Sequence, residues 1–388
     1  MVENNKFDVT PELLEQNPVL AMALTGMSLL IITILVGSLL SWIFLAVRAR
    51  RGLPWLSAKP QPPSVWGLAD LVVVVVLVVA CQTLFASAYV RLSGVEISRL
   101  EGKPLPAAVS TAASFGNLAA LGLTLAWLAL RFQISPNRVG FRSEHWWRQL
   151  QIGVIATLAV LPIVYLMMAA VSIGLDTAYK HPLLDEIRAT ATLGSYLLGV
   201  LTAVLLAPLA EEFLFRVILQ GWLQAIPFSS PQQIIIGANY NQRRDELQSQ
   251  VILADIIASP PSNQDFYEQA TSLPISPTEA EKSLEIEPPQ LVSPGKPDET
   301  ALKHIPPVWP AIVTGILFGL AHWGYGLSFI PLIALGIVLG LIYRSTNSIW
   351  PCLLMHMALN GTSMLGLGLS ILIERAKVVA VMVEYWAR

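Results

Sequence analysis

The sequence predicts an all-α, polytopic membrane helical bundle of about eight transmembrane helices, interrupted by one long insertion. Three observations carry this prediction. Charged residues make up only 13% of the 388, against roughly 25% in an average soluble domain. Hydrophobic residues reach 54%, and the mean hydropathy is +0.60. The apolar residues also gather into runs of about twenty, the length an α-helix needs to cross a ~30 Å hydrocarbon core.

Residues 1–19 form a polar, net acidic tail, with Glu3, Asp8, Glu12 and Glu15 against Lys6. The N-terminal transmembrane helices then occupy residues 20–190 as four spans, at 20–47, 70–90, 107–130 and 150–173. Arg48, Arg50 and Arg51 follow the first span, and Arg131, Arg138, Arg142 and Arg148 follow the third. Basic loops stay inside, so these two face the inside and the N-terminus faces outside. Trp146 and Trp147 fit an interfacial belt on the inner side. The third span is rich in small residues, which suits close helix packing. The connection 176–190 reads as a short loop of mixed charge. The first apolar run is too long for a signal-peptide core and lacks a basic leader, so an uncleaved first helix is expected.

Segment 191–226 reads as one long apolar helix carrying Glu211, Glu212 and Arg216. Pro208 lies one turn before the glutamates, where its missing N–H predicts a kink. Segment 227–307 differs in kind, with twelve of the 27 prolines and eleven Asp/Glu against five Lys/Arg. Such a composition cannot bury enough apolar surface to fold alone, so a largely disordered insertion is expected, with one short amphipathic helix near 245–257. The last segment, 308–388, holds apolar stretches at 308–323, 327–343 and 349–373. Gly315/Gly319 and Gly336/Gly340 are GxxxG pairs that predict close helix approach. The count becomes seven spans if one late segment is re-entrant. Arg344 fits an inner loop, whereas Arg375 and Lys377 oppose an outer C-terminus.

Net charge is −2, which suggests no nucleic-acid partner. Cys81 and Cys352 lie in apolar runs and give no disulfide or CxxC pattern. Asn360-Gly361-Thr362 is a glycosylation sequon inside a predicted span and reads as fortuitous.

Charges inside a bilayer are expensive, and they are usually paired and functional. Glu212 and Arg216 stand four apart and share a helix face, in the favourable order. Glu211 is rotated by about 100° and has no local cation. His322 and His356 also lie within apolar segments, with Phe318 and Asn360 each one turn away on the same face. Taken singly, each histidine could be a helix–helix hydrogen bond. Two histidines, an asparagine and a Glu-Glu-Arg group on three apolar helices favour a site over structural glue. A carboxylate with an imidazole can deprotonate a water, and an imidazole with an amide can donate to an oxyanion. No Ser or Cys stands out as a nucleophile, and GxSxG and HExxH are absent. The constellation suits hydrolysis by an activated water.

Glu211-Glu212-x-x-x-Arg216, Phe318-x-x-x-His322 and His356-x-x-x-Asn360 resemble, in type and order, the signature of the CAAX-processing and bacteriocin-processing (CPBP) intramembrane proteases. That family includes the type II CAAX prenyl endopeptidases and many bacterial "Abi" immunity proteins. The resemblance covers roughly residues 190–370, with 191–226 and 308–373 as the protease core. It implies an eight-span fold with a conical cavity open to the cytosol and partly to lipid. It further implies that Glu211 and His322 activate water, that His356 and Asn360 donate to the oxyanion, and that Glu212 with Arg216 holds the catalytic helix. The long insertion departs from the family pattern, and a protein partner for 227–307 is one expected consequence. Glu211, His322 and His356 form a zinc set by residue type, but the resemblance to the prenyl endopeptidases favours a glutamate mechanism with no obligatory metal. The expected partners are a peptide or lipidated-peptide substrate and the lipid bilayer, and the expected location is the bacterial inner membrane. The rival readings are a non-proteolytic scaffold or bacteriocin-immunity-like protein on the same fold, and a transporter, against which no clear inverted repeat is visible.

Overall fold

The computed structural model describes residues 9–58, 61–95, 106–135, 138–142, 144–175, 182–238 and 304–387. The chain builds eleven helices from them: α1 (Pro11–Gln16), α2 (Pro18–Arg50), α3 (Leu68–Ser93), α4 (Ala107–Phe132), α5 (Trp146–Gly174), α6 (Pro182–Thr190), α7 (Leu193–Phe228), α8 (Pro231–Ile236), α9 (Trp309–Leu320), α10 (Phe329–Thr346) and α11 (Trp350–Ala387). Among the described residues the one β pairing is an isolated bridge between Gln61 and His304.

Six helices, α2 to α5, α7 and the segment Gly326–Thr346, are long and apolar enough to cross a membrane. Their outward faces stay apolar: Leu29, Val36, Leu40, Val76 and Leu166 are all exposed. A helix that is apolar all round is a core helix or a membrane span, and these faces meet no protein, so this is a multi-pass membrane protein. These six spans begin and end within a few residues of the predicted positions, whereas the helix predicted at 349–373 is not among the six and runs on to Ala387.

Several expectations need correction. The predicted sixth span is only α9, twelve residues or about 18 Å, too short to cross a ~30 Å core alone. His322 lies beyond its end, at the start of a 3₁₀ turn (Trp323–Ser328), rather than deep in a span. The connection 176–190 is not all loop, because Pro182–Thr190 is helical and buries Ile187 against α7. Residues 1–19 are not all tail: Leu13 of α1 is buried in a small cluster with Ile373 and Ala376 of α11. The insertion's first residues form α8, capped by Ser230, whereas 239–303, including the helix expected near 245–257, lies outside the described residues.

The glycine pairs do what their spacing predicts. A Cβ on Gly315 would sit 2.4 Å from the Ile337 nitrogen, and one on Gly336 would sit 2.8 Å from the Gly315 oxygen. The backbones of α9 and α10 therefore touch, and α9 is held as one arm of a tight hairpin. In α4 the small residues play the same part, with Gly116 packed on the Cys81 backbone of α3. The main core lies where α5, α7, α9, α10 and α11 meet, around Phe213, Val217, Phe318, Leu339 and Met355.

This packing makes a testable claim. Gly315→Val should destabilise the fold by about 1–3 kcal/mol through overpacking. Gly26→Val on α2, where nothing lies within 4 Å, should be neutral. Heat-induced dye labelling of the buried, free Cys352 in a Cys81→Ser background reads both effects. Equal midpoints for the two variants would refute the close contact.

Candidate active site

Three helices contribute stripes of residues four apart: Glu212, Arg216 and Gln220 on α7; Thr314 and Phe318 on α9, continued by His322; and Cys352, His356 and Asn360 on α11. Each stripe is one helix face, and the fold turns the three faces together.

The central element is α7, which is not a regular α-helix. Two π-helical stretches, Leu201–Leu206 and Phe213–Gln220, flank the α-helical turn Ala207–Glu212 that carries both glutamates. Pro208 therefore does not end or simply kink the helix. The Ala207 N–H reaches back five residues to the Thr202 carbonyl, so the wide turn absorbs the proline. The same pattern leaves the Ala203 carbonyl facing residue 208, which has no N–H to give. Asn360 fills that gap, donating from Nδ2 to the Ala203 oxygen at 2.8 Å.

Below this turn lies a dry ion pair. Arg216 Nε donates to Glu212 Oε2 at 3.0 Å, and both side chains are fully buried. Arg216 Nη1 reaches the Thr314 hydroxyl at 3.4 Å, and the guanidinium lies 5.3 Å from the centre of the Phe318 ring. That ring supplies a cation–π contact beside Nη2, which has no hydrogen-bond partner among the described residues. Gln220 donates to the Gly340 carbonyl at 2.8 Å and so ties α7 to α10. Phe318 is itself fully buried, with ring centres at 5.3 Å to Phe215, 5.1 Å to His322 and 5.5 Å to His356.

The histidines are oriented by their Nδ1 atoms. His356 Nδ1 lies 2.9 Å from Glu212 Oε1, and His322 Nδ1 lies 2.8 Å from the Phe318 carbonyl. Both partners accept hydrogen bonds, so each ring carries its proton on Nδ1 and turns Nε2 toward the site. The two Nε2 atoms converge on one oxygen, Glu211 Oε2, at 3.7 Å for His356 and 4.0 Å for His322. These separations exceed a direct hydrogen bond, yet one water beside the three groups could touch them all. Glu211 is 31% exposed and Glu212 is not exposed at all, so adjacent carboxylates face opposite environments.

Six of the seven residues singled out from the sequence thus belong to one cluster, and Asn360, one turn along α11 from His356, is bonded to the α7 backbone at Ala203. The site lies about 9 Å along α11 from the exposed Trp350, since His356 is six residues into that helix. Trp350 packs on Phe141, beside Arg142, so the site lies toward the arginine-rich end of the bundle. Sequence reasoning gave Glu212 only one partner, whereas the structure gives it two, Arg216 and His356. It passed over Thr314 and Gln220, which one more four-residue step along each stripe would have found. It also passed over Asp70, buried and held by Gly67 N–H at 2.9 Å, Trp127 Nε1 at 3.0 Å and Arg131 Nε at 3.2 Å.

Among the described residues no three His, Cys, Asp or Glu side chains are grouped to hold an ion. In the set of Glu211, His322 and His356 the imidazole nitrogens lie 4.0 and 3.7 Å from the carboxylate oxygen, somewhat more than the ~3.3 Å between ligand atoms of a tetrahedral zinc.

The Asn360–Ala203 bond predicts a dependence on Pro208. Asn360→Ala should cost about 1–3 kcal/mol, because a buried carbonyl loses its only donor. In a Pro208→Ala background, which returns an N–H to position 208, the cost should fall by about 1 kcal/mol or more. A thermal or denaturant double-mutant cycle measures this coupling, and strict additivity would contradict the capping role.

With the geometry in place, comparison with known proteins adds one finding. No curated protein and no solved structure matches the chain. Residues 299–362, which include Phe318, His322, His356 and Asn360 but not the glutamates of α7, match the family model described as Type II CAAX prenyl endopeptidase Rce1-like.

Proposed function

We propose that the protein is an intramembrane endopeptidase that hydrolyses a peptide bond near the arginine-rich membrane surface with a water activated by Glu211 and His322. The observation that carries this reading is the convergence of two oriented imidazole Nε2 atoms on the one partly exposed carboxylate of the cluster. The family match supports it independently, because it covers two of the three motifs.

The chemistry follows from the protonation pattern. A water held by Glu211 and His322 gives its proton to the Glu211 carboxylate as the oxygen attacks the carbonyl carbon. The new oxyanion needs donors, and His356 is one when its Nε2 carries a proton, with Nδ1–H already committed to Glu212. Asn360 has a second amide N–H beyond the one spent on Ala203. Collapse of the tetrahedral intermediate expels the amine, which takes the proton from Glu211. Glu212 and Arg216 hold His356 and α7 and touch no reacting atom. No step requires a metal.

The substrate class we propose is a CAAX-type prenylated peptide or another membrane-associated peptide. The basis is the name of the matched family together with a site that lies in the bilayer yet close to its surface. The bacterial inner membrane is the proposed location, with the arginine-rich face toward the cytosol.

Glu211→Gln and His322→Ala should each lower cleavage by about 10²–10⁴-fold, the usual contribution of a general base, while leaving the Cys352 labelling midpoint in place. Membrane fractions from wild-type and Glu211→Gln cells, compared by quantitative proteomics, supply both the readout and the substrate. Activity should persist in excess chelator. Full activity in Glu211→Gln would end the proposal, and an unchanged cellular phenotype with this variant would favour a non-proteolytic scaffold.

A further inference from the structure

A cavity of ligand size lies apart from the site just described. A space of about 950 Å³ opens between α2, α5, α7 and α10, and none of Glu211, His322 or His356 lines it. It sits on the arginine-rich side, reached by Arg48 from the end of α2, Arg138 and Arg142 from the segment before α5, and Arg148 from its first turn. Against these four arginines its lining holds one carboxylate, Glu144, which is 3.5 Å from Arg142 and largely exposed. The net charge of the mouth is strongly positive.

The rest of the lining is mixed, with an apolar part beside polar residues such as Ser57, Ser64, Gln149, Gln151 and Asn347. Phe44 of α2 is half exposed on the outer surface and also lines the cavity, so the space communicates sideways with the bilayer. Ile152 and Ile155 of α5 continue that wall inward. Trp42 and Trp55 meet edge-to-face at 5.8 Å at the rim, as aromatic side chains do at a membrane interface. At the inner end two glutamines are nearly buried, and Gln61 Oε1 and Gln224 Nε2 have no hydrogen-bond partner among the described residues. Gln61 Nε2 donates to Gln224 Oε1 at 3.5 Å, so the two amides close the inner end as a polar pair.

A basic mouth beside an apolar wall that reaches the exposed face of α2 describes one kind of molecule. We propose that this cavity is a binding site for an anionic phospholipid of the inner leaflet, with its phosphate among Arg48, Arg138, Arg142 and Arg148 and an acyl chain along α2 and α5. A soluble anion would use the arginines but not the lateral apolar opening. A zwitterionic lipid would use the wall but gain less from four cations. Basic pockets between membrane helices on the inner side select anionic headgroups for this reason.

The test uses the full chain in neutral detergent, analysed by native mass spectrometry with phosphatidylglycerol, phosphatidylcholine or inorganic phosphate. Wild type should retain phosphatidylglycerol in preference to phosphatidylcholine. Arg142→Gln/Arg148→Gln should weaken that retention by about fivefold for each arginine, equivalent to about 1 kcal/mol apiece. Arg50→Gln/Arg51→Gln, on the same side but outside the cavity, should change it by less than about twofold, within ordinary surface effects. Equal retention of the two lipids, or an equal loss in both double variants, would overturn the proposal in favour of general surface attraction. Full displacement by millimolar phosphate would overturn it in favour of a soluble-anion site. Should the arginine variant fail to fold, Glu144→Gln keeps the test open: removing the one carboxylate should strengthen phosphatidylglycerol retention, and no change would count against the site.

Discussion

The fully buried pair of Glu212 and Arg216 is the constraint that the rest of the structure answers to. Two unit charges taken out of water cost several kcal/mol each unless attraction and hydrogen bonds offset it, and a lipid surround offers neither. The protein therefore closes a shell around the pair. Glu212 has both oxygens engaged, one by Arg216 and one by His356. Arg216 adds Thr314 from α9 and the face of Phe318. One ion pair thus binds α7, α9 and α11 into a single unit, and Gln220 brings in α10. The shell needs close helices, which is why glycine stands at the contacts of α9 with α10.

The same pair makes the neighbouring carboxylate useful. Consecutive helical residues point about 100° apart, so fixing Glu212 in the dry interior turns Glu211 toward the open side. His356 transmits the arrangement, with one nitrogen on the buried glutamate and the other facing the open one. The backbone is adapted to the task. Wide turns before and after the glutamates change the helix register locally, and Pro208 leaves a carbonyl that Asn360 takes up. The asparagine of the third motif and the proline before the first are therefore parts of one device, although more than 150 residues separate them.

Much of this was legible in the sequence, for a physical reason. Membrane spans announce themselves by length and composition, and motif residues four apart must share a helix face, so α7, α9 and α11 could be placed and their polar faces assigned. What could not be read depends on partners remote in the chain. The proline before Glu211 predicts a broken hydrogen bond, but only the packed structure says that a π turn and Asn360 absorb it. Asp70 looked like a charge at the edge of a span until Trp127 and Arg131 closed on it. His322 was placed inside a helix because apolar composition continues past it, whereas α9 stops at Leu320 and the chain turns at once into the hairpin. α6 escaped because nine residues of mixed polarity carry too few turns to show a period.

The two sets of charges in this molecule obey opposite rules, and the contrast separates their uses. In the Glu212–Arg216 pair on α7 each charge is neutralised at hydrogen-bond range and shielded from water, as buried charges must be. Such a network is rigid, and rigidity is what aiming two imidazoles at one oxygen requires. The arginines around the large cavity are at least partly exposed, outnumber acids four to one in its lining and are not drawn into a dry network. Positive side chains gathered this way attract a counter-charge. The inner surface of a bilayer is where anionic headgroups supply it. α7 and α10 take part in both arrangements, with the core layer of Val217, Ile218, Leu339 and Ile342 between them.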